Sequence, residues 1–178
     1  GTITGPIEAL MINGRANLDI ADLAFLEPFV KRPVRGGLTA SIAGEMQPLT
    51  GAFDVLIAAT ADHLMTGEPS VDALTGASSA LNLSLKRSDD GLELRRFKLH
   101  SDALDTTASG KLRTGEGQLA FDLALDDVGR LTPDFSGAVT LKGSAHEAAQ
   151  GWQAELVGTL PGDAVLAANL ITPRTGDT

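Results

Sequence analysis

Strict alternation of apolar and polar residues is the feature that most constrains this chain. Leu81, Leu83 and Leu85 alternate with Asn82, Ser84 and Lys86, and Leu119, Phe121, Leu123 and Leu125 alternate with Ala120, Asp122, Ala124 and Asp126. Successive side chains of a strand point to opposite faces, so a period of two makes strands with one apolar and one wet face. The same alternation runs through Leu38, Ala40 and Ile42, through Phe53, Val55 and Ile57, through Val139 and Leu141, and through Trp152, Ala154 and Leu156. About ten strands fit, separated by turns that 20 Gly and 8 Pro supply.

Local signals set the connections. Asp89-Asp90-Gly91 turns the Leu81 strand into the strand Leu92 to Leu99, an antiparallel hairpin, and the parity slip across Arg95-Arg96 predicts a bulge. Thr114-Gly115-Glu116-Gly117 makes a second turn, so the middle of the chain reads as a four-strand meander. Two stretches have helical spacing: Asp22 to Glu27 before Pro28, with an N-cap Asp, and Pro69 to Leu74 before Gly76.

One phrase occurs twice. GGLTASIAG at 36–44 and SGAVTLKG at 136–143 each follow an Asp-apolar pair, Asp22-Leu23 or Asp127-Val128, and a Pro, and each precedes a second alternating strand. The approximate repeat covers 21–60 and 126–160, with a period of about 100 residues, as in stacked units that share one buried face. No interdomain linker appears, so residues 1–178 form one segment. A start at Gly1 and a polar run at Pro173 to Thr178 suggest a piece of a longer repetitive protein.

Composition narrows the function. Only 4% of residues are aromatic, so the apolar face is aliphatic and thin. The net charge of −9 and the lack of a long Lys/Arg run give no footprint for nucleic acid. With no cysteine, disulfide scaffolds, thiol catalysis and zinc-thiolate sites are excluded. The longest apolar stretches, Val55 to Ala59 and Ala164 to Leu170, fall short of the ~20 residues of a membrane-spanning helix.

Catalytic constellations do not assemble. His63, His100 and His146 lie on separate segments, and His100-Ser101-Asp102 are strand neighbours that point apart, which no triad tolerates. Asp89-Asp90 and Asp126-Asp127 fall in turns, where Asp is ordinarily structural. Gly115-Glu116-Gly117-Gln118-Leu119-Ala120 formally fits a dinucleotide fingerprint, but a strand follows where a helix is required. The expectation is a non-enzyme with no cofactor and no metal.

The ordered series DLAFLEPFVKRPVRGGLTASIAG at 22–44, the leucine strands and turns that follow through Asp89-Asp90-Gly91, and ASGKL at 108–112 resembles the TamB family, the inner-membrane subunit of the translocation and assembly module, in its alphaproteobacterial type. The likeness covers roughly residues 20 to 160. It implies an internal fragment of an inner-membrane-anchored protein that spans the bacterial periplasm. Its body would be a β-taco, an elongated, curled, antiparallel-rich open trough with one or two short helical turns. The family's work is lipid transport and outer-membrane biogenesis, including autotransporter assembly and protein secretion. Its partner is TamA, an Omp85-class outer-membrane barrel. No aromatic-ended terminal segment suited to that barrel is found here, so direct contact of this fragment with TamA is not implied.

On this reading the partners are phospholipid acyl chains or nascent β-barrel strands, held in a hydrophobic groove. The groove residues are Leu38, Ala40, Ile42, Phe53, Val55, Ile57, Leu81, Leu83, Leu85, Leu119, Phe121, Leu123, Leu125, Val139, Leu141, Trp152 and Leu156, with Arg95 and Arg96 as headgroup ligands at the rim. Each acyl CH₂ withdrawn from water contributes about 0.8 kcal/mol, so a long chain would gain on the order of 10 kcal/mol without a polar contact. The alternative is that these residues form the closed core of a β-sandwich or partial barrel that binds a protein partner.

Overall fold

The computed structural model describes residues 1–4, 10–113, 115–148 and 151–173. Eleven strands follow one another: β1 (Thr2–Thr4), β2 (Met11–Ile20), β3 (Arg35–Gln47), β4 (Ala52–Met65), β5 (Ser78–Ser88), β6 (Gly91–Ser101), β7 (Leu104–Arg113), β8 (Glu116–Leu125), β9 (Val139–Ala148), β10 (Gly151–Leu160) and β11 (Ala164–Pro173). Their order in space is their order in sequence, each antiparallel to the next, in one open sheet that does not close into a barrel. The expected four-strand meander is thus β5 to β8, and it continues in both directions.

Most strands have ten or more residues, and β4 has 14, longer than the short leucine runs suggest. Ten residues at about 3.3 Å each span roughly 33 Å, and eleven strands about 4.8 Å apart extend roughly 48 Å. Two strands carry weak sequence signals. In β2 the alternation is interrupted by Gly14 and Ala16, and β11 is the apolar stretch beginning at Ala164. Among the described residues no helix is long and apolar enough to cross a membrane.

Because strand direction alternates, the connections fall into two sets at opposite ends. Tight turns join β3 to β4, β5 to β6 and β7 to β8, the last through Gly115 at φ +81; its neighbour Thr114 lies outside the described residues. The other end carries the long connections. A 3-10 turn (Leu23–Leu26) and α1 (Glu27–Val30) precede β3, α2 (Pro69–Thr75) precedes β5, and a 3-10 turn (Val128–Arg130) precedes β9. Pro28 sits in the first turn of α1 rather than ending a helix, since a proline there loses no helical hydrogen bond.

The two echoed segments build the same device. Asp22 and Asp127 both take extended backbone, and each accepts a hydrogen bond from the amide two residues on, Ala24 at 3.0 Å and Gly129 at 2.9 Å. Downstream, Gly36 and Gly137 have φ of +107 and +117, a region that β-carbons disfavour, and they lead the chain into β3 and β9. A β-carbon on Gly36 would stand 2.6 Å from the His63 carbonyl oxygen. The repeated Gly therefore answers a backbone need at the sheet end.

The buried apolar residues are few: Leu23, Ala40, Ala61, Ala103, Leu125 and Val139, with Ser79 and Ser101 beside them. Apart from Ala40 these lie at or beside the strand ends next to the long connections, and among the described residues no large side chain is fully buried. This corrects the alternative of a closed sandwich or partial barrel. A second layer would bury the centre of the sheet, and the described residues provide none.

Candidate functional site: an uncovered leucine face

Strand register turns the scattered alternation into a surface. One row crosses ten strands without a polar side chain: Ala16, Ile42, Ile57, Leu83, Phe97, Ala108, Phe121, Gly143, Leu156 and Ala168, each opposite the next. The row beside it runs Leu18, Ala40, Ala59, Leu81, Leu99, Thr106, Leu123, Leu141, Gly158 and Leu166. On the other side Val55, Leu85, Leu94, Gly110 and Leu119 follow in register. Leu38, Phe53, Leu125, Val139 and Trp152 have the same parity, so every groove residue read from the sequence shares one face.

That face is larger than the sequence indicates. Leu92, Leu94, Phe97 and Leu99 belong to it, because the bulge in β6 restores the parity that the sequence breaks. Leu18 and Ile20 of β2 and Leu166 and Leu170 of β11 extend it on both sides. The signal that finds them is cross-strand register, which only the fold supplies.

Large and small residues interlock along the face. Trp152 lies across β9 onto Gly117, where a β-carbon would come within 2.3 Å of its ring, and Phe121 similarly occupies the space above Gly143. Small residues opposite large ones let the rings lie flat, which keeps the face thin.

Among the described residues, coverage is confined to one end. There Ser101 Oγ donates to the Leu74 carbonyl of α2, Ala77 N–H donates to the Asp102 carboxylate at 3.1 Å, and α2 meets the 3-10 turn Val128–Arg130. Leu125 is only 6% exposed under this cap, whereas Leu119, on the same strand toward the hairpins, is 42% exposed and Leu112 50%. The central leucines are half-buried by their strand neighbours alone.

The cap is tied by carboxylates. Asp127 accepts from the Gly137 amide at 2.8 Å and from Gly129, and these hydrogen bonds hold its carboxyl below the usual carboxylate range. Asp72 in α2 is lowered in the same way, chiefly by the Thr66 amide. Asp126 binds Arg130 through both carboxylate oxygens at 2.9 and 3.0 Å, which raises the guanidinium's pKa.

The opposite face carries a cross-strand charge ladder. Lys142 reaches Asp122 at 2.9 Å, its register partner, and the carboxylate raises the ammonium's pKa. Lys111 reaches Glu93 at 3.0 Å, His100 Nδ1 lies 2.8 Å from Asp105, and Arg95 pairs with Asp54. Arg95 and Arg96 therefore sit on the charged face in mid-sheet. Their expected place as headgroup ligands at the rim of the groove is corrected: the bulge turns both away from the leucines.

Among the described residues, the side chains that could carry chemistry do not converge. His100 faces Asp105 on the charged side while Ser101 is buried under α2. Asp89 and Asp90 form the β5–β6 turn, and Gly115 to Ala120 runs from a turn into β8. Among the described residues no three or more His, Asp or Glu gather as metal ligands.

No family model, curated protein or solved structure matches this chain.

Proposed function

We propose that this chain is a periplasmic segment of a TamB-like envelope protein, anchored elsewhere in the inner membrane, whose leucine face shields phospholipid acyl chains in transit between inner and outer membrane. The observation that carries this reading is an apolar face continuous across ten strands and, among the described residues, covered at one end only. Soluble monomers rarely leave apolar patches above a few hundred Å² in water, so an apolar face about 43 Å across its ten strands and open beyond the cap calls for an apolar occupant. With no polar group in its central row, the face suits methylene chains of any headgroup, which slide rather than dock. Nascent β-barrel strands, apolar on one side, are the second class of cargo, and support of outer-membrane and autotransporter assembly follows from either. TamA would be the partner of the parent protein.

The test is photo-crosslinking in cells from single positions. Probes at Leu83 and Phe121 should recover lipid adducts, while probes at Lys86 and Asp122 on the charged face should not. An absence of lipid at both inward positions sinks the proposal.

A further inference from the structure

The bulge in β6 does more than preserve the leucine parity. In a regular strand Arg95 and Arg96 would point to opposite faces, yet the register shifts against both β5 and β7 bring them to the same one. There they border an open depression of about 510 Å³ whose floor and walls include Ser41, Asn82 and Ser84. Lys98, two residues on, shares that face. Arg95 is held in place by Asp54, whereas the Arg96 side chain has neither a hydrogen bond nor an ion pair among the described residues. Lys86 and Lys98 on that face are likewise without a carboxylate partner among the described residues, and the exposed Arg96 guanidinium keeps all of its donors for a ligand.

The charge at this spot also opposes that of the molecule. Of the residues lining the two adjoining depressions, three are cationic, Arg95, Arg96 and Lys98, and one is acidic, Asp122, on a chain whose net charge is −9. Guanidinium forks match the oxygens of a tetrahedral oxyanion, and hydroxyl and amide donors beside them complete such a shell.

We infer that the charged face carries a binding site for a phosphate-type anion, centred on Arg96, oriented by the Asp54–Arg95 pair and lined by Ser41, Asn82 and Ser84. The site lies on the opposite face from the leucines and stands whether or not those bind lipid. A phosphate monoester reaches it either free in solution or as the exposed headgroup of a membrane lipid, since both present the same oxygens.

Calorimetric titration of the full chain with inorganic phosphate and glycerol 3-phosphate, and flotation with phosphatidylcholine vesicles with and without phosphatidic acid, separate the two sources. Saturable binding to the soluble anions, or flotation only with phosphatidic acid, is expected, and R96Q should weaken whichever occurs by about tenfold, as loss of a charged hydrogen bond does. R95Q, which also frees the Asp54 carboxylate to repel the anion, should weaken it at least as much. Arg96 is exposed, so R96Q keeps its fold and its crosslinking at Leu83. No saturable binding in any arm, or equal binding by wild type and R96Q, overturns the site.

Discussion

The two ends of the leucine face are made from the same strands and differ in what lies on them. At the capped end the face narrows to Ala61, Ser79, Ser101 and Ala103, and the small side chains let α2 and Leu23 pack onto the sheet. At the hairpin end Met46, Leu112 and Leu119 stand 46%, 50% and 42% exposed, with no described residue packed over them. Long connections can fold back over a face, whereas turns of a few residues cannot. The lesson is that loop length, more than strand composition, decides where this sheet is a core and where it is a surface.

Truncation should separate the ends most sharply. Leu125→Ala, under the cap, is expected to cost about 2–5 kcal/mol, and Leu112→Ala at the hairpin end under about 1 kcal/mol, by urea denaturation. Equal costs would mean that the open end is covered in solution. Next in size is Gly36→Ala. Its positive φ and the His63 carbonyl 2.6 Å from the new β-carbon should lower stability clearly, while Gly115→Ala, with open space around it, should lose less in the same measurement.

Acid should loosen the cap first. The Asp127 carboxyl is held below its ordinary range by amide donors, so its contribution to stability is present above the unfolded carboxyl pKa of about 3.9 and is lost as pH falls through the lower folded value. Asp127→Asn should remove that part of the acid dependence, read from thermal midpoints between neutral and strongly acidic pH. The smallest effect is optical. Gly117→Ala should lift Trp152, the sole Trp, from the sheet and shift its emission to the red, and acyl chains carrying bromine should quench it in the wild type if they occupy the hairpin end.

Much of the fold was legible. Leu81 to Leu85 and Leu119 to Leu125 read as one-faced strands because their neighbours are polar. The break at Arg95-Arg96 read as a bulge because no regular strand changes parity. The Asp22 and Asp127 caps read from residue type and spacing. β2 was missed because Gly14 and Ala16 dilute its alternation, and the side of the sheet taken by Arg95 and Arg96 was missed because a bulge shifts parity without stating in which direction each residue then points.

The sequence by itself determined an antiparallel, strand-rich chain with a thin aliphatic face, since period-two alternation and turn residues act locally. Only the tertiary structure decided that ten strands line up those leucines in register, that the sheet stays open, and that α2 covers one end. Register and coverage depend on contacts between residues far apart in sequence, and no local pattern encodes which partner will lie opposite.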